Sequence, residues 1–282
     1  MFNFISCCSI LTHDEFINLM LILNKEAISM NLRIFPIKVG NELWSKSYLN
    51  GPGAGDTPID IPHIIFYIDG ADKKVLVDTG GGDPASADMI KFHSKTYTRK
   101  PEEEPTIALK MATGVSSEEI DIVILTHLHW DHACNCHLFP NAEFYVQMTE
   151  VIDSINPVPR FAKTYQSFNI GTVPPWAQQP LKWNFLYGDT EILPGIKVLL
   201  IPGHSAGIQG VAVTTNDGLY FLGSDAYPLY DNINEDGSVL PSMLSLNLEA
   251  AFHSSWKVSK LGAKIIPGHD IAVLDHKFYP VA

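Results

Sequence analysis

Cysteine is scarce in this chain. Four among 282 residues cannot form a disulfide framework over such a length, and Cys7 and Cys8 are adjacent, which disfavours a bridge between them. Long apolar runs are missing too. The stretch 16–23 is much shorter than the about 20 residues a membrane-spanning helix needs. His13-Asp-Glu15 precedes it and Asn24-Lys-Glu26 follows it, in place of the basic region and small-residue cleavage site of an export signal. Basic residues are few: 19 Lys and Arg against 31 Asp and Glu, a net charge of −12. That balance suits a polyanion poorly and argues against a nucleic-acid partner. No internal repeat, low-complexity tract or linker interrupts the chain. These absences point away from secreted scaffolds, membrane proteins and nucleases, and towards a cytoplasmic enzyme. An apolar content of 46% supplies a sizeable core. Residues 1–29 read as an N-terminal extension, either a short helix or disordered, and 30–282 as one domain.

Strands rich in branched residues are expected at 32–39, 63–68, 74–77, 122–125, 143–146, 196–201, 209–214, 219–222 and 263–266. Pro105–Thr113 reads as a helix, with proline at its start and Gly114 past its end. The stretch 246–261 is the clearest helix. The mixed-charge run Arg99-Lys-Pro-Glu-Glu-Glu104 reads as a solvated loop. Strand pairs alternating with helices fit two mixed β-layers flanked by helices.

The richest chemistry lies in Thr-His-Leu-His-Trp-Asp-His at 126–132, directly after an apolar strand. Alternate strand residues share a face, so His127 and His129 can meet one metal ion. Asp131 and His132 follow where the chain must turn, free to meet a second. A helix cap would explain Asp131 alone and core packing one histidine, but neither explains all four. Three further candidates each close a short apolar run at a glycine-containing turn. These are His204 in Pro202-Gly-His204, Asp225 in Gly223-Ser-Asp225 and His269 in Pro267-Gly-His269. Five histidines and two aspartates suffice for two ions. Cys134 and Cys136 sit just beyond the cluster, either as packing residues or as thiols open to oxidation and stray metal.

With these landmarks in order, and with Val77-Asp-Thr-Gly80 ahead of them, the chain resembles the metallo-β-lactamase superfamily over roughly residues 32–270. The resemblance implies an α/β fold of the αββα four-layer sandwich type with a two-metal site at one edge. It implies two Zn²⁺ ions, with Mn, Fe or Co as alternatives, and a bridging hydroxide. His127, His129 and His204 would hold one ion, Asp131, His132 and His269 the other, and Asp225 would bridge them. Asp78 would orient a ligand, or else stabilise its own turn. Such a pair leaves net positive charge where an oxyanion develops and makes hydroxide available at neutral pH. Di-iron redox relatives usually carry Glu where this chain has His129, so hydrolysis is the expected chemistry.

Within the superfamily the chain is most similar to the N-acyl homoserine lactonase branch, the quorum-quenching enzymes. Leu128-His-Trp-Asp-His132, Ser224-Asp-Ala226 and the nearby end after Gly268-His-Asp270 carry that likeness. It implies a small lactone or ester as substrate. Thioesters, phosphodiesters or other esters are the alternatives, and a homodimer is left open. Lactonases of this type commonly carry Tyr three residues past the bridging Asp. Here Pro228 stands there, flanked by Tyr227 and Tyr230, and either tyrosine is a candidate for substrate contact or both are loop aromatics. The proline-broken segment 151–183 offers Phe161, Tyr165, Phe168 and Trp176 as a lid or as loop packing. The segment 43–55 is a second candidate wall. His253 and His276 read as surface or packing residues, whereas His63, His93 and His137 show no partner in the sequence.

Overall fold

The computed structural model describes residues 31–93 and 96–281; the expected N-terminal extension, with Cys7 and Cys8, lies outside them. Strands β1 (Arg33–Ser45), β2 (Pro58–Asp69), β3 (Val75–Val77), β4 (Tyr97–Thr98), β5 (Ile122–Ile124), β6 (Glu143–Gln147) and β7 (Lys182–Leu186) form a seven-stranded sheet ordered β4-β1-β2-β3-β5-β6-β7. Strands β8 (Thr190–Leu193), β9 (Ile196–Leu200), β10 (Gln209–Thr215), β11 (Gly218–Leu222) and β12 (Lys264–Ile266) form a five-stranded sheet ordered β12-β11-β10-β9-β8. Both sheets are mixed. β3, β5, β6 and β7 run parallel, as do β11 and β12. The helices are α1 (Lys46–Asn50), α2 (Ala87–Phe92), α3 (Pro105–Thr113), α4 (Trp130–Ala133), α5 (Met148–Ile155) and α6 (Leu248–Ser259).

Strand alternation dictates the layers. Ile34, Ile64, Phe66, Val75, Val77, Ile122 and Ile124 face Ile196, Val198, Val211, Val213, Tyr220 and Leu222 across the space between the sheets. Their chain neighbours Phe35, Ile65, Tyr67, Leu76 and Val123 turn the other way, onto Leu109 of α3 and Val151 of α5. On the far side Leu199, Ala212, Phe221 and Ile265 pack against Val258 of α6. Because successive strand residues point to opposite faces, a near-continuous apolar strand such as Ile-Val-Ile in β5 serves two cores at once. The result is the αββα sandwich.

Helix ends follow their sequence signals. The Glu104 carboxylate accepts from the N–H groups of Thr106 and Ile107 at the start of α3, and Gly114 closes it in a left-handed turn. The Asn247 side chain accepts from Ala250 N–H at the start of α6, which satisfies a donor the helix cannot pair internally. The run 99–104 is less solvated than its charge suggests. Glu103 is buried beside Lys38, and the Arg99 guanidinium donates to the Gly81 carbonyl. Helix α5 and strands β7 and β8 arise where the sequence pattern predicts no element. Among the described residues no helix is long and apolar enough to cross a membrane.

Five strands matter for the site. β3 ends one residue before Asp78, β5 before the 126–132 turn, β9 before His204, β11 before Asp225 and β12 before His269. All five C-terminal ends open on one edge of the sandwich, where side chains leave the sheets and backbone groups are free to hold them.

Candidate metal centre

The seven His and Asp side chains are brought together in two lobes. His127, His129, His204 and Asp225 form one, and Asp131, His132, Asp225 and His269 the other; in each, one ligand atom per residue lies within 4.8 Å of the rest. Asp225 belongs to both. Its Oδ2 lies 3.3 Å from His204 Nε2 and 3.9 Å from His127 Nε2, while Oδ1 lies 2.9 Å from His132 Nε2 and 2.8 Å from His269 Nε2. Asp131 Oδ2 stands 3.4 Å from His132 Nε2.

The donor set fits a cation because the protein occupies the outer nitrogens. His204 Nδ1 donates to the Leu244 carbonyl at 2.7 Å, His269 Nδ1 to the Pro62 carbonyl at 3.0 Å, and His132 Nδ1 to Asp78 Oδ2 at 2.7 Å. Each Nε2 then turns a lone pair inward. His129 is reversed. Its Nδ1 lies 3.0 Å from both His127 Nε2 and His204 Nε2, and one shared proton cannot satisfy three converging nitrogens. His129 Nε2 is buried with no hydrogen-bond partner. A metal ion resolves the inward convergence; a packed histidine core does not.

The carboxylates of the cluster favour positive charge beside them. Burial pushes the Asp225 carboxyl up, but His269, His132, His204 and His127 outweigh it and hold it well below the usual carboxylate range. Burial likewise pulls His132 down, yet Asp131, Asp225 and Asp78 raise it well above an ordinary imidazole. In the other lobe burial dominates, and His127 and His129 fall well below the usual value. Buried carboxylates at this density call for positive charge.

Asp78 bonds through its carboxylate to a ligand and to the ligand turn, not to its own turn. Held at φ 63°, it accepts from Thr126 N–H at 2.7 Å and Thr126 Oγ at 2.8 Å as well as from His132. It therefore fixes the ligand turn and one ligand together. The site opens into a cavity of about 610 Å³ whose floor includes His129, Asp131 and Asp225 and whose walls include Trp44, Tyr48 and Phe161.

Tyr227 and Tyr230 are not brought to this cavity. Tyr227 is completely buried behind Gly223, in the core between the smaller sheet and α6. Tyr230 starts a turn, its N–H bound to Asp270, and it does not line the cavity. Of Phe161, Tyr165, Phe168 and Trp176, only Phe161 lines the cavity, its ring stacked 5.8 Å from that of His129. Tyr165 and Trp176 are buried in the core, and Phe168 is exposed. From 43–55, Trp44 and Tyr48 do reach the wall. Cys134 and Cys136 are buried and free; burial pushes the Cys136 thiol up to about 12 and Cys134 higher still, so neither is a ready thiolate.

Two histidines without partners in the sequence flank the site. His63 stacks on Tyr97, and His93 lies 4.0 Å from the Trp130 ring. Burial lowers His93 from 6.5 to about 4, against the pull of Glu42 and Asp131. The unfolded chain therefore binds the extra proton between those values, and stability falls as pH drops through that window. His93→Phe keeps a ring on Trp130 but removes the titration. Urea melts at about pH 7.5 and about pH 5 should show a smaller acid loss in the variant than in the wild type; equal losses would refute this assignment.

Glu150, which has no obvious signal in the sequence, is also part of the frame. An acid in the first turn of a helix ordinarily faces solvent and the helix dipole, but this one is fully buried.

Fold and site together define the class. The family model described as Metallo-beta-lactamase superfamily matches residues 60–270, and the chain belongs to that superfamily. It is 23% identical over 245 residues to an N-acyl homoserine lactonase of Bacillus cereus, covering 85% of this chain and 93% of the relative. It is 29% identical over 164 residues to a probable metallo-hydrolase of Methanocaldococcus jannaschii, covering 58% of this chain and 64% of that one. A crystal structure of a Bacillus thuringiensis AiiA mutant with N-decanoyl-L-homoserine bound at the active site superposes with a TM-score of 0.68 at 24% identity, over 85% of this chain and 94% of that one; at this distance the likeness is one of fold.

Proposed function

We propose that this protein is a dinuclear metal-dependent hydrolase that opens a lactone of the N-acyl homoserine lactone kind. The observation that carries the reading is Asp225, one carboxylate whose two oxygens face two different histidine sets. In this reading His127, His129 and His204 would hold one ion and Asp131, His132 and His269 the other, with Asp225 available to both. When bound, two such ions would supply Lewis acidity towards a carbonyl and lower the pKa of a bound water.

The chain's own residues do the rest. Asp78, Leu244 and Pro62 fix the outer nitrogens of His132, His204 and His269, so the inward lone pairs are aimed before substrate arrives. Trp44 and Phe161 line the cavity over the ligands, shed water and offer an apolar surface to a ring or acyl chain. The lactonase relatives support a lactone over other esters. Neither Tyr227 nor Tyr230 is given the carbonyl in this reading, since neither lines the cavity.

The test is a panel of N-acyl homoserine lactones, thioesters and phosphodiesters, run on protein loaded separately with zinc, manganese and cobalt. Lactones should turn over fastest and activity should vanish on chelation. Turnover of phosphodiesters with none of lactones or esters would defeat the proposal.

A further inference from the structure

Glu150 lies in the first turn of α5 and is wholly buried. Its carboxylate receives four hydrogen bonds. Oε1 accepts from Leu128 N–H at 3.0 Å and from the Tyr165 hydroxyl at 2.9 Å. Oε2 accepts from the Ser205 hydroxyl at 2.7 Å and from Gly207 N–H at 2.9 Å. Leu128 stands between His127 and His129, and Ser205 directly follows His204. Tyr165 in turn packs its ring edge-on against His129, 4.5 Å between centroids. Every donor to this carboxylate thus belongs to, or touches, the segments that carry the three histidines of one lobe.

The approach is close enough to demand glycine. A Cβ on Gly207 would sit 2.3 Å from Glu150 N and 2.6 Å from Glu150 Cβ. The helix start and the 204–207 turn are therefore pressed together, with the carboxylate reaching across to the 126–132 turn. Burial raises the Glu150 carboxyl while the four donors draw it back. An uncharged packing residue would avoid that desolvation, so its effect must be sought in geometry.

We propose that Glu150 is a positioning residue for the His127–His129–His204 lobe, holding its two ligand-bearing turns in register, while none of its four hydrogen bonds goes to Asp131, His132 or His269. The proposal rests on the reading of the seven side chains as a two-ion site. The charge state matters as well as the shape. An amide at this position must turn its NH₂ towards one pair of donors. On either side that pair includes a backbone N–H, from Leu128 or Gly207, which cannot reverse its role. Glu150→Gln is therefore a near-isosteric change that breaks one clamp whichever way the amide lies.

The experiment is a titration of the metal-free protein with Co²⁺, read by visible absorption and by bound metal per chain. His204→Ala and Asp131→Ala serve as spectral references for loss of one lobe or the other. Glu150→Gln should bind one ion within about twofold of the wild-type affinity and the other roughly 10- to 100-fold more weakly. The spectrum of its tighter-bound ion should match that of His204→Ala. Equal weakening of both ions, or of neither, overturns the proposal. Should Glu150→Gln fail to fold, the double variant Ser205→Ala/Tyr165→Phe removes one donor from each oxygen without disturbing the backbone, and the same selective weakening is required of it. A wild-type protein that takes up no Co²⁺ would instead defeat the two-ion reading itself.

Discussion

For the proposed two-ion lactonase, Asp225→Asn should reduce bound metal from two ions per chain to at most one and lower lactone turnover by roughly a thousandfold, about 4 kcal/mol of lost transition-state stabilisation. Both carboxylate oxygens are committed, Oδ2 to His204 and His127 and Oδ1 to His132 and His269. An amide can leave an oxygen on only one side. The other lobe then faces an NH₂ group that cannot ligate, and its three remaining donors lose the negative charge that favours a cation. Asp225→Ala should go further and empty both lobes in dilute metal. A carboxylate in only one lobe behaves differently: Asp131→Asn should weaken a single ion. Metal analysis after gel filtration, paired with turnover at saturating metal, separates the two patterns. An Asp225→Asn protein that keeps two ions and near-normal turnover would show that the carboxylate is not shared.

Much of this site is legible in the sequence. Four candidate ligands stand within 127–132, too dense for packing, and three more each follow an apolar strand at a glycine turn. What makes them readable is the architecture itself, since parallel strands deliver their C-terminal ends to one edge, where β5, β11 and β12 open. The four layers are readable from runs such as 122–125, which are apolar on both faces. Other features lie beyond local pattern. Strands β7 (Lys-Trp-Asn-Phe-Leu) and β8 (Thr-Glu-Ile-Leu) hold few branched residues, and the helical spacing of Met148, Val151, Ile152 and Ile155 in α5 is masked by the proline-broken segment that follows it. Tyr227 reads as a loop aromatic beside the site; its burial depends on Gly223, where a Cβ would lie 2.7 Å from the Tyr227 ring. Glu150 is the sharpest case. Its meaning comes from donors at 128, 165, 205 and 207, distant in sequence, and hydrogen bonds of that kind leave no periodicity to read.

Gly203→Ala should cost roughly 3 kcal/mol, a fall in melting temperature of about 6–12 °C, and should weaken one ion more than the other. The reason is steric. A Cβ at Gly203 would lie 2.4 Å from Ala251 Cβ, 2.5 Å from Ala251 Cα and 2.8 Å from Ala251 N. Two of these are backbone atoms of α6, which cannot rotate away as a side chain would. Either the helix or the turn must move, and the turn is tied on both sides. The N–H groups of Leu246 and Asn247 donate to the carbonyls of His204 and Gly203 at 3.1 and 3.0 Å, and the His204 ring donates to Leu244. Displacing the turn therefore swings His204 away from His129 and Asp225, while His132 and His269, held by Asp78 and Pro62, keep their places. Gly53→Ala is the matched control, because a Cβ there meets nothing within 4 Å, and it should shift stability by no more than about 0.5 kcal/mol. If Gly203→Ala melts with the wild type and still binds two ions equally, then contact between α6 and the His204 turn does not set the geometry of that lobe. If it melts lower yet binds both ions with unchanged affinity, the turn has stayed in place and α6 has moved instead.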